Sequence, residues 1–234
     1  MNSKVIAPIG ALRQEKRFNI ISNNLSNMQT IGFKKDTPLF RSFLSQSLER
    51  VNSIFSDSTA ISFLQGDLHK TGGEFDLAID GEGFFKVSTP SGIQYTRAGN
   101  FKLEKGRLLT RSDYYPVLGR KGPLRIEGRN IKVELDGTVI VDGIPIDQIH
   151  LVTFKDLRAL KRVQHSLFKS EGEREVEIAN PRILQGYLEN SNVNPIVEMV
   201  QLMDTFRTYE SCMKVIQNQD EMDSKAVNEL GRIR

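Results

Sequence analysis

Residues 75–87 read FDLAIDGEGFFKV, and this stretch decides how the middle of the chain folds. Alternate positions from Phe75 to Ile79 are apolar, which is the period of a strand that buries one face. Two glycines, Gly81 and Gly83, then interrupt the pattern before a second apolar run begins. The stretch therefore predicts two strands joined by a tight connection.

The same period of two recurs along the middle of the chain. It predicts further strands at Phe84–Ser88, Gln94–Arg97, Phe101–Leu103, Ile131–Leu135, Val139–Val141 and Ile149–Phe154. Turn signals such as Pro90-Ser91-Gly92, Asp136-Gly137 and Asp142-Gly143 separate these strands. We expect an all-β body, because short strands with frequent turns are typical of sandwiches and barrels.

Toward the N-terminus the period changes to that of a helix. A stripe with a spacing of four and three residues predicts a helix over about Lys4–Gln29, and its members are Ala11, Gln14, Phe18, Ile21, Leu25 and Met28. Pro8 has no amide hydrogen, so the first regular turn is expected after it. Gly32 follows the stripe, where a left-handed residue commonly ends a helix.

The C-terminal segment shows a second helical stripe. Asn194 is a candidate N-cap, and Pro195 occupies the first helical position. The apolar positions that follow at four and three residues are Leu202, Phe206, Tyr209, Met213 and Ile216, and no glycine or proline interrupts 196–230. Helices with such narrow stripes need a partner along their length.

The patterns together predict an α+β protein, with an all-β central body and long N- and C-terminal helices that pair as a coiled-coil domain. The predicted domains are 1–41 for the first helix, 42–65 for a Ser-rich connector, 66–186 for the β-rich body and 187–234 for the last helix. We expect Leu202, Phe206, Tyr209, Met213 and Ile216 to bury against Phe18, Ile21, Leu25 and Met28.

Three asparagines, Asn23, Asn24 and Asn27, stand out in the first helix because asparagine is a poor helix former. They either fix the register against a neighbouring helix by hydrogen bonds or form an exposed polar face. The two ends also differ in charge, since residues 1–50 carry eight basic and three acidic side chains and residues 187–234 carry five and eight. That contrast permits the ends to lie side by side.

Composition excludes several classes of protein. The chain has 234 residues, of which 38% are hydrophobic, so it can form a core. It contains no apolar run long enough to span a membrane as a helix, and residues 1–10 do not resemble a signal peptide. A single cysteine, Cys212, and three histidines provide neither an internal disulfide nor a Cys/His zinc site, so no cofactor or metal is expected.

No motif predicts catalysis. Gly81-Glu82-Gly83 precedes a strand, whereas a phosphate loop needs a helix there. The Gly-x-Ser-x-Gly of a hydrolase is absent, although a triad assembled from distant residues stays open, for example in a cell-wall hydrolase. The segment 97–132 holds ten basic and three acidic residues, but it has few aromatic side chains to stack on bases, so no nucleic-acid partner is expected.

Five blocks, in order along the chain, resemble the bacterial flagellar rod and hook family, the axial proteins of the basal body. They are Ile20–Lys34, with its Asn-rich helix and Gly-Phe-Lys turn, Gln65–Leu68 together with Asp76–Phe85, Tyr95–Phe101, Tyr115–Gly119 and Gly186–Pro195. The resemblance covers nearly the whole chain.

This resemblance implies a structural subunit of the rod and not an enzyme. The short middle disfavours the hook protein, while Val117–Leu124 and the ending Asn228–Arg234 resemble proximal-rod members, with a distal-rod member as the alternative. The implied partners are other copies of the chain, other rod proteins and the flagellar type III export apparatus. The implied location is the periplasmic rod of the basal body, reached without a cleaved signal peptide.

The family also implies that its end segments form the contacts between subunits. The residues expected at this assembly interface are Phe18, Ile21, Asn23, Asn24, Leu25, Asn27, Met28, Asn192, Asn194, Leu202, Phe206, Tyr209, Met213 and Ile216.

Overall fold

A computed structural model describes residues 3–39, 58–164 and 166–230 of the chain. Within them lie two helices, α1 (Ser3–Ser26) and α2 (Pro195–Leu230), and a 3-10 turn at Leu157–Ala159. The strands are β1 (Asp36–Leu39), β2 (Ser58–Ile61), β3 (Leu68–Lys70), β4 (Leu77–Ile79), β5 (Phe84–Thr89), β6 (Gly92–Thr96), β7 (Phe101–Glu104), β8 (Arg107–Thr110), β9 (Leu118–Gly119), β10 (Gly122–Pro123), β11 (Ile131–Val133), β12 (Thr138–Val141), β13 (Ile144–Gln148), β14 (Leu151–Phe154), β15 (Leu160–Gln164), β16 (Leu167–Ser170), β17 (Glu175–Glu177), β18 (Ile183–Gln185) and β19 (Tyr187–Glu189). The α+β class is confirmed.

The chain forms two compact units. The helical unit comprises residues 1–26, 36–59 and 194–234, and the β unit comprises residues 27–35 and 60–193. Most of the connector predicted at 42–65 falls outside the described residues, as do His165 and the last four residues.

The β unit is built on a six-stranded antiparallel sheet with the order β15-β16-β6-β5-β14-β17. A three-stranded sheet, β11-β12-β13, and the pairs β7–β8, β9–β10, β3–β19 and β4–β18 complete it. Strands form at each place where alternation predicts them. The one predicted at Ile131–Leu135 ends at Val133 and is only half-buried, and Leu135 is exposed. The Asp142-Gly143 turn joins β12 to β13 with both residues at positive φ, as a tight hairpin requires.

Two apolar clusters fill this unit. The larger one surrounds Phe85 and Val117, both fully buried, and draws residues from β4 through β18. The smaller one is aromatic, with Phe63, Phe84 and Phe168 in edge-to-face contacts at 5.3–5.9 Å between ring centroids. Edge-to-face packing of this kind stabilises a core beyond the area that it buries.

The helical unit pairs α1 with α2. Asn24 donates to Glu198 at 3.2 Å, and a Cβ atom on Gly10 would lie 3.2 Å from the Cys212 sulfur. In each of these contacting pairs the two residue numbers add up to 222, so the contacting residue number falls along α1 as it rises along α2. The two helices are therefore antiparallel and stay in one register over fourteen residues of each (24 − 10 and 212 − 198).

The predicted start of α2 is confirmed, whereas the predicted start of α1 is wrong. The Asn194 side chain accepts from the amides of Ile196 and Val197 at 3.1 and 3.2 Å, which confirms the predicted N-cap. The expectation that α1 begins after Pro8 is wrong, since the helix begins at Ser3 and Pro8 lies within it. Pro8 sits in the second turn on the exposed side, where it removes a single helical hydrogen bond.

The expected burial between the helix stripes is wrong at three positions. Phe18, Met28 and Phe206 are exposed at 41%, 38% and 53%. On α2 the positions against α1 are Glu198 and Thr205, both fully buried, with Leu202 and Tyr209 half-buried beside them. The inner face is thus one residue away from the predicted stripe at Phe206. Polar side chains occupy it, with Glu198 bonded to Asn24 of α1 and Thr205 bonded to the Gln201 carbonyl.

Gly32 requires glycine for two separate reasons. Its φ is +67°, and a Cβ atom there would lie 2.3 Å from the backbone nitrogen of Ala98. We expect Gly32→Ala to destabilise the chain by about 2 kcal/mol or more, measured by urea unfolding, because backbone strain and a clash act together. Gly72→Ala is the control, since its φ is +74° but nothing lies within 4 Å, and strain alone should cost about 1 kcal/mol. Equal effects for both variants would contradict the role of the close approach.

Candidate functional site

A buried charge cluster lies in the β unit and consists of Lys34, Arg97 and Glu189, which we call the Glu189 cluster. One carboxylate oxygen of Glu189 accepts from Lys34 Nζ at 2.5 Å and from the Gly66 amide at 3.0 Å. The other oxygen accepts from Arg97 Nε at 2.9 Å. The one carboxylate thus pairs with two cations from distant parts of the chain.

Backbone carbonyls satisfy the remaining donors of these cations. Arg97 donates from Nη1 to Gly83 and from Nη2 to Gly81, at 2.7 and 2.9 Å, and Lys34 donates to Leu64 at 2.7 Å. The two glycines of the 75–87 stretch both have positive φ, which turns their carbonyls toward Arg97. The Gly-Glu-Gly connection is therefore shaped around a guanidinium and not around a phosphate.

The cluster is almost completely withdrawn from water. The side chains of Lys34, Glu189 and Arg97 are 0%, 1% and 3% exposed. Burial lowers the pKa of Lys34 and of Arg97 from their ordinary values, although the Glu189 carboxylate opposes that shift. Buried charges of this kind are tolerated only when every one of them is paired and hydrogen-bonded.

Further hydrogen bonds and a stacking contact surround the Glu189 cluster. The Asn192 side chain accepts from the Lys35 amide at 2.7 Å and donates to the carbonyls of Ser62 and Leu64, both at 2.9 Å. Arg162 donates to the Lys34 carbonyl and stacks over the Phe33 ring, 4.2 Å from its centroid. Segments from both ends of the β unit are therefore fixed around Glu189.

Sequence reasoning missed the cluster, although its signal was present. Lys34, Gly66, the 81–83 connection, Arg97 and Glu189 each lie within one of the blocks that carry the family resemblance. Lys34, Arg97 and Glu189 are each the single charged residue of an otherwise uncharged block, and this feature could have indicated a buried ion pair. The charge contrast between the two ends permits side-by-side placement, and one residue of each end segment, Lys34 and Glu189, meets in an ion pair.

The structure places the residues expected at an assembly interface in three settings. Ile21 and Asn24 are buried; Phe18, Asn23, Met28, Asn194 and Phe206 are exposed; Leu25, Asn27, Asn192, Leu202, Tyr209, Met213 and Ile216 are half-buried. Asn24 bonds to the partner helix through Glu198, and it also donates to the Asp36 carbonyl. Asn23 donates to the Asp36 carboxylate, and Asn27 accepts from Thr30.

A second apolar face runs along the first three turns of α2, on the side away from α1. Its members are Ile196, Met199, Val200, Met203 and Phe206, which recur at three or four residues and are 48–74% exposed. Beyond Phe206 the same side of the helix continues with Arg207, Glu210 and Lys214. We call the five residues the α2 apolar face.

A smaller ionic group joins three strands of the six-stranded sheet. Glu175 accepts from Lys86 Nζ and from the Tyr95 hydroxyl, each at 2.6 Å. Burial acts to raise the pKa of Glu175, but the hydrogen bonds from Lys86 and Tyr95 outweigh it and lower that pKa. Burial and the same carboxylate raise the pKa of Tyr95.

No constellation for chemistry accompanies these groups in the described ranges. A cavity of about 210 Å³ borders the Glu189 cluster, but Phe63, Leu64, Phe84 and Leu157 make much of its wall. Among residues 3–39, 58–164 and 166–230, no set of three His, Cys, Asp or Glu side chains could hold a metal ion. No helix in the same ranges is long and apolar enough to cross a membrane.

Glu189→Gln should strongly destabilise the β unit, because it leaves Lys34 and Arg97 buried without a counter-charge. Removing one partner of a buried pair costs about 3–5 kcal/mol, and urea unfolding of the full chain measures it. Glu175→Gln is the matched control, since Glu175 is 30% exposed, and it should cost about 1 kcal/mol. A loss at Glu189 no larger than that at Glu175 would show that the buried cluster is dispensable.

The Glu175 group should also make stability depend on pH. A carboxyl group whose pKa is lowered on folding contributes stability above its unfolded pKa, near 4.5, and loses it as the pH falls through the folded value. We expect the difference in unfolding free energy between the unaltered chain and Glu175→Gln to be constant from pH 6 to 8 and to shrink below pH 4.5. A difference that grew with acidity would refute the assignment.

Three family models match successive parts of the chain. They are described as "Flagella basal body rod protein" at residues 10–34, "Flagellar hook protein FlgE/F/G D1 domain" at 78–148 and "Flagellar basal body rod FlgEFG protein C-terminal" at 184–229. The first and third contain Lys34 and Glu189, and the second contains Arg97.

Curated relatives match over nearly their whole length. The chain is 32% identical to the flagellar basal-body rod protein FlgF of Caulobacter vibrioides, over 96% of this chain and 97% of that protein. It is 31% identical to FlgG of Buchnera aphidicola subsp. Acyrthosiphon pisum, over 94% and 96%, and 31% identical to FlgF of Rhizobium meliloti, over 94% of each. The chain therefore belongs to the family of flagellar basal-body rod proteins that includes FlgF and FlgG.

Proposed function

We propose that this chain is a structural, non-catalytic subunit of the flagellar basal-body rod, which assembles helically and transmits torque from motor to hook. The observation that carries the proposal is the α2 apolar face, because five large apolar side chains exposed on one helix indicate a protein contact surface. In a family of rod proteins, the natural partner for that face is another subunit of the rod.

The helix pair supplies the inner part of this assembly. Antiparallel helices in a fixed register, with small residues such as Ala7, Gly10 and Ala11 facing α2, support a coiled-coil domain. The opposite charges also support it, since α1 carries four basic and one acidic residue, while α2 carries three and seven. Electrostatic attraction between the basic α1 and the acidic α2 favours pairing of α1 with α2 over pairing of two copies of the same helix.

The α2 apolar face supplies the contact between subunits. It lies opposite Glu198 and Thr205, so α1 of the same chain leaves it uncovered. Phe18 and Met28, which are also exposed, belong to the same proposed interface. Each subunit would offer one surface to the next and a different one to its predecessor, and such heterologous contacts generate a helical assembly.

The proposed partners are other copies of the chain, other rod proteins and, during delivery, the flagellar type III export apparatus. The proposed location is the periplasmic part of the basal body. A position in the proximal rod, like that of FlgF, is favoured over a distal one because the alignment to the Caulobacter FlgF extends over 238 positions and that to the Buchnera FlgG over 251. The longer alignment requires more insertions relative to this chain of 234 residues.

Deleting the gene and restoring it with Phe206→Asp tests this function. The intact chain should restore swimming and complete rods, as seen in electron micrographs of purified basal bodies. The variant should lower recovery of the chain in basal bodies by about tenfold or more, because burying an unpaired carboxylate at each contact costs at least about 1.4 kcal/mol.

Asn218→Asp is the control for this experiment. It adds the same charge to an exposed position of the same helix, beyond the α2 apolar face, and should incorporate normally. Both purified variants should unfold in urea like the unaltered chain. Normal swimming without the gene, or normal rods with Phe206→Asp, would contradict the proposal.

A further inference from the structure

The residues by which the chain first enters the β unit are bonded directly to those by which it leaves. The Gly32 amide donates to the Glu189 carbonyl at 2.8 Å, and Lys34 Nζ donates to the Glu189 carboxylate at 2.5 Å. Gly32 and Lys34 lie a few residues after α1, and Glu189 lies a few residues before α2. The Glu189 cluster is therefore the point where both ends of this unit are held.

This arrangement determines how a pull on the helices reaches the strands. Tension along α1 arrives at residues 27–35, and tension along α2 arrives at residues 187–193. Because these segments are joined at the Glu189 cluster, the force passes from one to the other through its ion pairs and through the adjoining bonds of Gly32 to Glu189 and of Lys35 to Asn192. The strands between residues 70 and 182 stay outside that path until the cluster breaks.

The cluster is well suited to resist such a pull. Its bonds are charge-assisted, short and shielded from water, which makes them the strong class of hydrogen bond. Arg97 adds a second attachment, because its Nη1 and Nη2 donate to the Gly83 and Gly81 carbonyls while its Nε donates to the Glu189 carboxylate. Separating the two ends therefore requires several charged bonds to break together.

We propose that the Glu189 cluster is the mechanical lock of the β unit, which carries force between the two chain ends and spares the strands. The biological role of this mechanical resistance rests on the proposed function, since a rod subunit works under load. The property itself belongs to the isolated chain, so its test does not depend on rod assembly.

Single-molecule force spectroscopy on the full chain, with handles fused to both termini, tests the lock. The antiparallel helices should separate first, because their free ends receive the force first. A second event should then release the residues between Lys34 and Glu189 in one step, about 155 × 3.6 Å or roughly 560 Å of contour length. Release of the strands in many small steps would overturn the proposal.

Three variants separate mechanical from thermodynamic effects. Glu189→Gln should rupture about tenfold or more faster than the unaltered chain at the same force, because two buried cations lose their counter-charge. Lys34→Met keeps the pair of Arg97 and Glu189, so it should fold and show an intermediate rate. Glu175→Gln breaks an ion pair of similar length outside the force path and should leave the rupture rate unchanged. The proposal fails if Lys34→Met ruptures like the unaltered chain, or if Glu175→Gln accelerates rupture as much as Lys34→Met.

Discussion

The buried carboxylate of Glu189 constrains the β unit more than any other single group. It pairs with two cations that are withdrawn from water, and without it the burial of Lys34 and Arg97 would be strongly destabilising. Meeting that requirement forces the Gly66 amide and the Gly81 and Gly83 carbonyls to converge on one point. The left-handed Gly81 and Gly83, the short β3–β19 pair and the Asn192 contacts all lie around that point.

In the helical unit, α2 has two distinct faces. The inner face of α2 holds Glu198 and Thr205, whose side chains bond to Asn24 and to the Gln201 carbonyl. The outer face holds larger apolar side chains, including Ile196 and Phe206, that the described part of the chain leaves exposed. The proposed association with further subunits would remove this apolar surface from water.

The sequence predicted much of the fold because period and turn chemistry are local signals. Alternation located β4, β5 and β14, and the Asn194-Pro195 signal located the start of α2 within one residue. Phe206 was misplaced because a stripe of apolar residues does not tell which of two helix faces meets its partner inside the chain. The Glu189 cluster was not predicted because its central ion pair joins residues 155 positions apart, and no local pattern tells which distant charges will meet.

Native-state hydrogen exchange of the full chain, followed by mass spectrometry, tests the central structural claim most directly. The amides of Gly32, Gly66 and Asn190 donate to the Glu189 carbonyl, the Glu189 carboxylate and the Asp67 carbonyl. If Glu189 holds these segments as one unit, their three peptides will exchange through a common opening of equal free energy, and Glu189→Gln will lower all three protections together. Separate opening free energies in the unaltered chain, or a loss confined to one peptide in the variant, would contradict the account.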